Sequence, residues 1–81
     1  MKIYNYYGKK NICGPRVRAA RKQKNLSQVD LAARLQILGI TIERDSVSRI
    51  EIGTRFVTDY ELRALAETLG VSLEWLLYIE E

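Results

Sequence analysis

Apolar residues recur every three or four positions along most of this chain, a spacing that is typical of amphipathic α-helices. Five segments carry the pattern. The predicted elements are helix 1 from Gly14-Pro15 to about Lys24, helix 2 from Ser27 through Gln36–Leu38 to Gly39, helix 3 from Glu43 or Arg44 to Gly53, helix 4 from Thr58 to Gly70, and helix 5 from Ser72 to Leu77. No segment alternates as a strand does, and no internal repeat occurs, so the chain is predicted to be all-α.

Capping signals support these boundaries. Ser27 with Asp30, and Thr58 with Glu61, have the spacing of a capping box, in which each side chain bonds the backbone N–H of the other residue. Asn25 follows helix 1 and suits the left-handed conformation in which helices commonly end.

The same periodicity predicts which residues face the core. They are Val17, Ala20 and Arg21 in helix 1, Leu31, Ala32, Leu35 and Leu38 in helix 2, Val47 and Ile50 in helix 3, Leu62, Leu65, Ala66 and Leu69 in helix 4, and Leu73, Leu76 and Leu77 with Trp75 in helix 5. Ile40 and Ile42 are expected to tuck under the turn before helix 3. These positions predict a compact bundle of five helices.

Helix 3 has a second, polar face, and no other predicted segment is expected to pack over it. That face combines two guanidinium groups, one carboxylate and two hydroxyls: Arg44, Arg49, Asp45, Ser46 and Ser48. These are the groups that recognise base edges in the major groove of DNA. The pattern therefore predicts a helix that docks on one side and presents the other.

Composition limits the classes of protein that remain. With 81 residues, 47% of them hydrophobic, the chain is predicted to form one small domain with a packed core. The single cysteine, Cys13, has no partner for an internal disulfide, and there is no histidine, so we expect no metal site and a reducing, cytoplasmic setting. Without a recognisable base, nucleophile or phosphate-binding loop, we expect no cofactor and no enzyme activity.

Charge is distributed unevenly, although the net charge is only +3. Eight basic residues and no acid lie between Met1 and Lys24, whereas one arginine stands against six acids from Val57 onward. A positive end of this kind favours a polyanionic partner, with a merely solvated charged surface as the alternative.

The first thirteen residues, Met1–Cys13, show no period and are predicted to form an arm, separate from a domain over residues 14–81. The arm either packs over the domain or extends from it. Its tyrosines, Tyr4, Tyr6 and Tyr7, suit packing on a core edge better than stacking on bases. No stretch is long and apolar enough to span a bilayer or to act as a signal peptide, so no membrane role is expected.

Four stretches together resemble the Cro/XRE-type helix-turn-helix family of lambda-repressor-like DNA-binding domains. They are RKQKNLSQ at 21–28, LAARL at 31–35, SVSRIEIGTR at 46–55 and ELRALAETLGVSLEWLL at 61–77. Each is weak alone, but in this order they are specific. The resemblance implies that helix 3 lies in the major groove of double-stranded DNA while helix 2 crosses the backbone.

Position by position, the resemblance also implies roles for individual residues. Base contacts fall to Arg44, Asp45, Ser48 and Arg49, phosphate contacts to Gln28, Ser46 and Arg55, and a structural salt bridge to Arg21 and Glu51. Two departures stand out. The stretch between Ala32 and Val47 is longer than usual by roughly one helical turn, so a longer turn is expected at Gly39–Ile42, and Ile52 is apolar where the family commonly has a polar residue.

The expected function is therefore sequence-specific DNA binding by a transcriptional regulator, with repression as the favoured outcome and a homodimer as the working form. The C-terminal residues Trp75, Leu77, Tyr78 and Ile79 are the candidate dimer face, against the alternative of ordinary core and tail. A second hypothesis is a protein-interaction subunit, such as an antitoxin, that uses the same fold to bind a partner protein.

Overall fold

Five helices form where the periodicity predicts them in the computed structural model, which describes residues 6–79. They are α1 (Gly14–Gln23), α2 (Gln28–Ile37), α3 (Arg44–Ile52), α4 (Asp59–Leu69) and α5 (Leu73–Leu76). Over residues 6–79 there is no strand, only an isolated bridge between Tyr6 and Lys9. The five-helix, all-α prediction is confirmed, while what was predicted for Met1–Asn5, including Tyr4, lies outside the described residues.

The helix starts owe their positions to local hydrogen bonds. The Ser27 hydroxyl accepts from the Asp30 N–H at 3.0 Å, and the Asp30 carboxylate accepts from the Ser27 N–H at 2.9 Å. Thr58 and Glu61 repeat the arrangement at the start of α4. Both capping boxes are confirmed, and so is the left-handed stop at Asn25, where φ is 58°.

The core lies among α1–α4: α3 packs on α1 and α2, α4 packs on the same two helices, and α5 packs on α4 and α1. Its buried apolar residues are Cys13, Val17, Ala20, Leu31, Leu35, Ile42, Val47, Ile50, Ala64, Leu65, Ala66, Leu69 and Leu76. Most of the predicted inward positions are among them, and the predicted burial of Arg21 is also observed.

Two predicted core positions are wrong. Leu38 is 42% exposed because α2 ends at Ile37, and the chain then turns through Gly39 at φ 81° so that Ile42, at 3% exposure, fills the core instead. Leu73 is 41% exposed because α5 is a single turn that buries only the side carrying Leu76.

A close backbone approach joins the start of α1 to the end of α3. A Cβ added at Gly14 would lie 2.2 Å from the Ile50 carbonyl oxygen and 2.8 Å from that of Glu51. Glycine at this position is therefore required by space, and it brings the two helices into direct contact.

The single-turn helix α5 is held to α1 by an arginine. The Arg16 guanidinium lies 3.9 Å from the centre of the Tyr78 ring and 4.9 Å from that of Trp75. Its Nη1 also donates to the Trp75 carbonyl oxygen. These cation–π and hydrogen-bond contacts hold α5 and Tyr78 against α1.

Candidate nucleic-acid interface

Helix α3 buries one side and leaves the other in solvent. Val47 and Ile50 are each 1% exposed and face the core. Asp45 and Arg49 are exposed on the opposite side, and Arg44 is exposed at the first residue of the helix. The helix forms because its apolar residues repeat at helical spacing, and it ends at Gly53, whose φ of 93° stops it.

The remaining polar residues of α3 flank this exposed side. Ser46 and Ser48 are half-buried, and Ile52 is exposed one turn after Ser48. Of the side chains predicted to contact bases, the structure therefore leaves Arg44, Asp45 and Arg49 exposed and Ser48 half-buried.

Arg44 and Asp45 lie in contact at the amino end of α3. Their Nη1–Oδ1 distance is 3.3 Å, and the side chains are 63% and 74% exposed. An exposed pair of this kind contributes little to stability. Asp45 also lies in the first helical turn, where a carboxylate offsets the positive end of the helix dipole.

Arg21 and Glu51, the pair that the resemblance implies, form a buried bidentate ion pair. Nε of Arg21 donates to Oε2 of Glu51 at 2.6 Å and Nη2 to Oε1 at 3.0 Å. Nη1 of Arg21 donates to the Leu26 carbonyl oxygen, and Nε2 of Gln28 donates to Glu51 Oε1 at 3.1 Å. The hydrogen bonds to Glu51 raise the pKa of Arg21, against the opposing effect of burial. This network joins α1, the start of α2 and α3.

Gln28 is the first residue of α2, and its half-buried amide is partly committed to that network. It lines a shallow groove together with Arg18, Ser48 and Ile52. Arg18 was not among the predicted site residues, although it is exposed beside the presented side of α3. The sequence feature that could have identified Arg18 as a site residue is its place in the basic amino-terminal segment.

Arg55 lies in the loop after α3 and is held by α4. Its Nη1 and Nη2 donate to the two carboxylate oxygens of Glu61, each at 3.0 Å, and Nη1 also donates to the Phe56 carbonyl oxygen. These bonds raise the pKa of Arg55 and lower that of Glu61. They occupy three of the five guanidinium N–H groups, so at most two are left for a phosphate.

The described part of the arm packs on the carboxyl end of α3. Lys9 Nζ donates to the Ile52 carbonyl oxygen, and the Lys10 N–H donates to that of Gly53. The side-chain amide of Asn11 donates to the Ile50 carbonyl oxygen. The two tyrosines Tyr6 and Tyr7 do not cover the core, since both are exposed and touch each other edge to face. Sequence reasoning did not find the three contacts to α3.

Other kinds of site find little support in residues 6–79. No group of three or more histidine, cysteine, aspartate or glutamate side chains is placed to hold a metal ion there. In the same residues, no helix is long and apolar enough to cross a membrane. Burial raises the pKa of the Cys13 thiol to about 11, which keeps it protonated and unreactive.

Comparison with known proteins gives the class of the chain. A helix-turn-helix family model matches residues 17–76, which is most of the sequence. The chain belongs to the Cro/C1-type helix-turn-helix family, a family of DNA-binding regulators rather than of enzymes. A search of curated proteins found no match.

Three solved structures that share this fold carry the names of regulators. The restriction-modification controller protein C.AhdI from Aeromonas hydrophila is 31% identical over 79% of this chain and 86% of its own, with a TM-score of 0.68. The P22 c2 repressor, solved with a synthetic operator, is 24% identical over 86% and 98%, with a TM-score of 0.73. The clp gene regulator ClgR from C. glutamicum is 22% identical over 85% and 83%, with a TM-score of 0.72.

Proposed function

We propose that the chain is a sequence-specific double-stranded DNA-binding transcriptional regulator, acting as a repressor, with α3 in the major groove. The observation that carries the proposal is the division of α3 into a core-packed side and an exposed side bearing Asp45 and Arg49, with Arg44 exposed at the start of the helix. The controller and repressor neighbours support a regulatory role, and the P22 repressor was solved with an operator.

Base recognition would rest mainly on Arg49. Its exposed guanidinium has the fork geometry that donates to O6 and N7 of a guanine, and one such contact contributes about 1–3 kcal/mol of discrimination. Arg44 is a second donor, because its exposed ion pair with Asp45 is weak enough to exchange for a base edge. Asp45 would accept from a cytosine amine or offset the helix dipole, and Ser48 would contribute from the edge of this surface.

Phosphate contacts are assigned to Gln28, Ser46 and Arg55, with Arg18 added from its position beside Gln28. Gln28 has one amide N–H beyond the bond it makes to Glu51, and it lies in the first turn of α2, where a helix attracts anions. Arg55 would keep its ion pair with Glu61 and donate to a phosphate from the guanidinium N–H groups that are not bonded within the protein.

The experiment that tests this function is selection of duplexes from a random library, followed by affinity measurements on the selected sequence. Arg49→Ala should lose preference at one base pair per half-site. Arg63→Ala removes the same charge from an exposed position on α4 and should keep that preference. If no sequence survives competitor DNA, or if both variants behave alike, the proposal is wrong.

A homodimer is proposed through the C-terminal residues. Leu73, Tyr78 and Ile79 are exposed apolar side chains beside the half-buried Trp75 and Leu77. Contiguous apolar surface at one end of a small domain is typical of an interface between subunits. Ile79→Glu should shift equilibrium sedimentation from dimer to monomer without loss of helix content. A wild-type monomer at high concentration, with and without duplex, would remove the dimer from the proposal.

Partner-protein binding is the second candidate, and one surface favours it. Val29, Ile37 and Leu38 are exposed on α2 and the turn after it, with Ile37 at 83%. An antitoxin-like subunit would use such an apolar stripe while α3 remained free. If the library selection recovers no preferred duplex, this candidate replaces the DNA-binding one.

A further inference from the structure

We propose that Lys9, Lys10 and Asn11, hereafter the α3 clamp, position the recognition helix and its following loop, and so set affinity for the preferred DNA sequence without touching it. The inference rests on the proposed function. The clamp lies before residue 17, where the matched family region begins.

The clamp supplies donors that a helix end needs. The last carbonyl groups of any α-helix have no partner within the helix. Here the Ile52 oxygen accepts from Lys9 Nζ at 3.1 Å and the Gly53 oxygen from the Lys10 N–H at 2.8 Å. The Ile50 oxygen accepts from Asn11 Nδ2 at 3.1 Å in addition to the Gly53 N–H. The Lys9 ammonium also lies at the negative end of the helix dipole.

Asn11 joins three elements through one half-buried side-chain amide. Besides the bond to Ile50, its Nδ2 donates to the Arg55 carbonyl oxygen at 2.8 Å. Its Oδ1 accepts from the Gly14 N–H at 2.9 Å, at the start of α1. Both amide hydrogens and the amide oxygen are therefore used, and the end of α3, the loop carrying Arg55 and the first turn of α1 share one anchor.

Gly53 makes room for the clamp. A Cβ at this residue would lie 2.7 Å from Cδ of Lys9, so the lysine chain lies directly against the glycine that ends α3. The left-handed turn at Gly53 and the arm are thus fitted to each other.

The orientation of α3 matters because direct base contacts depend on small distances. Arg49 lies in the last turn of a nine-residue helix, adjacent to Ile50, whose carbonyl the clamp holds. Side chains of a binding site must be held within about 0.5 Å of their productive positions. Releasing the clamp should therefore weaken binding to the preferred duplex far more than binding to an unrelated one, which depends on charge.

The test uses two matched pairs of variants in the full chain. Asn11→Asp keeps an oxygen for the Gly14 N–H but has no N–H for the Ile50 and Arg55 carbonyls, whereas Asn11→Ala loses all three bonds. Lys9→Gln and Lys10→Gln each remove one charge, but only the Lys9 ammonium bonds α3, since the Lys10 ammonium lies 5.5 Å from the centre of the Phe56 ring in the following loop. Affinity is measured for the selected duplex and for an unrelated duplex of the same length.

We expect Asn11→Asp and Asn11→Ala to lose roughly tenfold in affinity for the selected duplex, because neither variant has the amide N–H groups that hold the Ile50 and Arg55 carbonyls, with little change for the unrelated one. Lys9→Gln should lose more selectivity than Lys10→Gln. A role confined to capping α1 would leave Asn11→Asp like wild type, and a simple charge effect would make the two lysine variants equal. Either result would overturn the clamp.

Hydrogen exchange separates failure of the clamp from failure of the proposed function. The N–H groups of Gly53 and Thr54 both donate to the Arg49 carbonyl oxygen, so they report on the end of α3 without DNA. Faster exchange of both in Asn11→Asp and Lys9→Gln is expected even if wild type selects no duplex. Unchanged exchange would refute the clamp, and Lys9→Gln keeps the test available should the Asn11 variants fail to fold.

Discussion

Breaking the buried pair between Arg21 and Glu51 should destabilise the domain severely. In Arg21→Met, the Glu51 carboxylate, whose side chain is 3% exposed, keeps the Gln28 amide but loses both guanidinium bonds. The Leu26 carbonyl oxygen loses its arginine donor as well. Removing one partner of a buried pair costs about 3–5 kcal/mol because the other charge is left uncompensated.

That cost is large relative to the whole stability of the domain. For 81 residues, a typical stability of 0.05–0.15 kcal/mol per residue amounts to roughly 4–12 kcal/mol. The melting temperature should fall by at least about 12 °C, at roughly 4 °C per kcal/mol. Replacing both partners, as in Arg21→Met/Glu51→Met, should cost less than the two single changes together, since no charge is then buried alone.

Urea unfolding of the four proteins, followed by circular dichroism, measures these differences as a double-mutant cycle. The single variants should have much lower midpoints than wild type, and the double variant should recover part of the loss. A cost below about 1 kcal/mol for Arg21→Met, or a double variant at least as unstable as the sum of the singles, would refute the reasoning.

Three further predictions concern packing, pH and reactivity. Gly14→Ala should destabilise the domain by about 1–3 kcal/mol, because the new Cβ meets the Ile50 backbone oxygen. This overpacking outweighs the roughly 1 kcal/mol gain in helix propensity. Thermal melting shows whether the melting temperature falls or rises. Arg55 lowers the pKa of Glu61, so the pair stabilises the fold above the ordinary pKa of 4.5 and that contribution is lost as pH falls below it. Glu61→Gln should therefore show a shallower loss of unfolding free energy in acid. Cys13 should resist a thiol reagent at pH 8 until the protein unfolds, because its pKa is raised to about 11.

Each of these three predictions would be contradicted by a particular result. An increase in melting temperature for Gly14→Ala would mean that the α1–α3 contact yields easily. Parallel acid profiles for wild type and Glu61→Gln would mean that the ion pair contributes nothing there. Rapid labelling of Cys13 under native conditions would mean that the start of α1 opens far below global unfolding.

Sequence predicted the elements whose causes are local. Both capping boxes depend on residues three apart, so Ser27 and Thr58 could be assigned from the chain alone. Leu38 could not, because its exposure follows from where α2 stops and from the way Ile42 replaces it in the core. Periodicity says which side of a helix is apolar, but the last turn is decided by tertiary packing.

The contacts around α3 show the same division. Its exposed polar side follows from spacing within one segment, whereas Lys9 and Asn11 reach carbonyls 43 and 39 residues away. Backbone acceptors carry no sequence signal, and the arm has no period that would orient it. The Arg55–Glu61 pair was also missed, because the resemblance suggested a phosphate role for Arg55 and Glu61 was already assigned to a cap.

The stacking of Arg16 on Trp75 and Tyr78 makes the terminal turn observable by itself. Trp75 is the only tryptophan in the chain and lies at the junction of α5 with α1, so its fluorescence reports on that junction alone. Local fraying of the final turn would change the emission before the remaining helices melt, whereas a second subunit bound over Tyr78 would restrict the indole and raise its anisotropy. Undocking and assembly at the carboxyl end can thus be followed optically without adding a label.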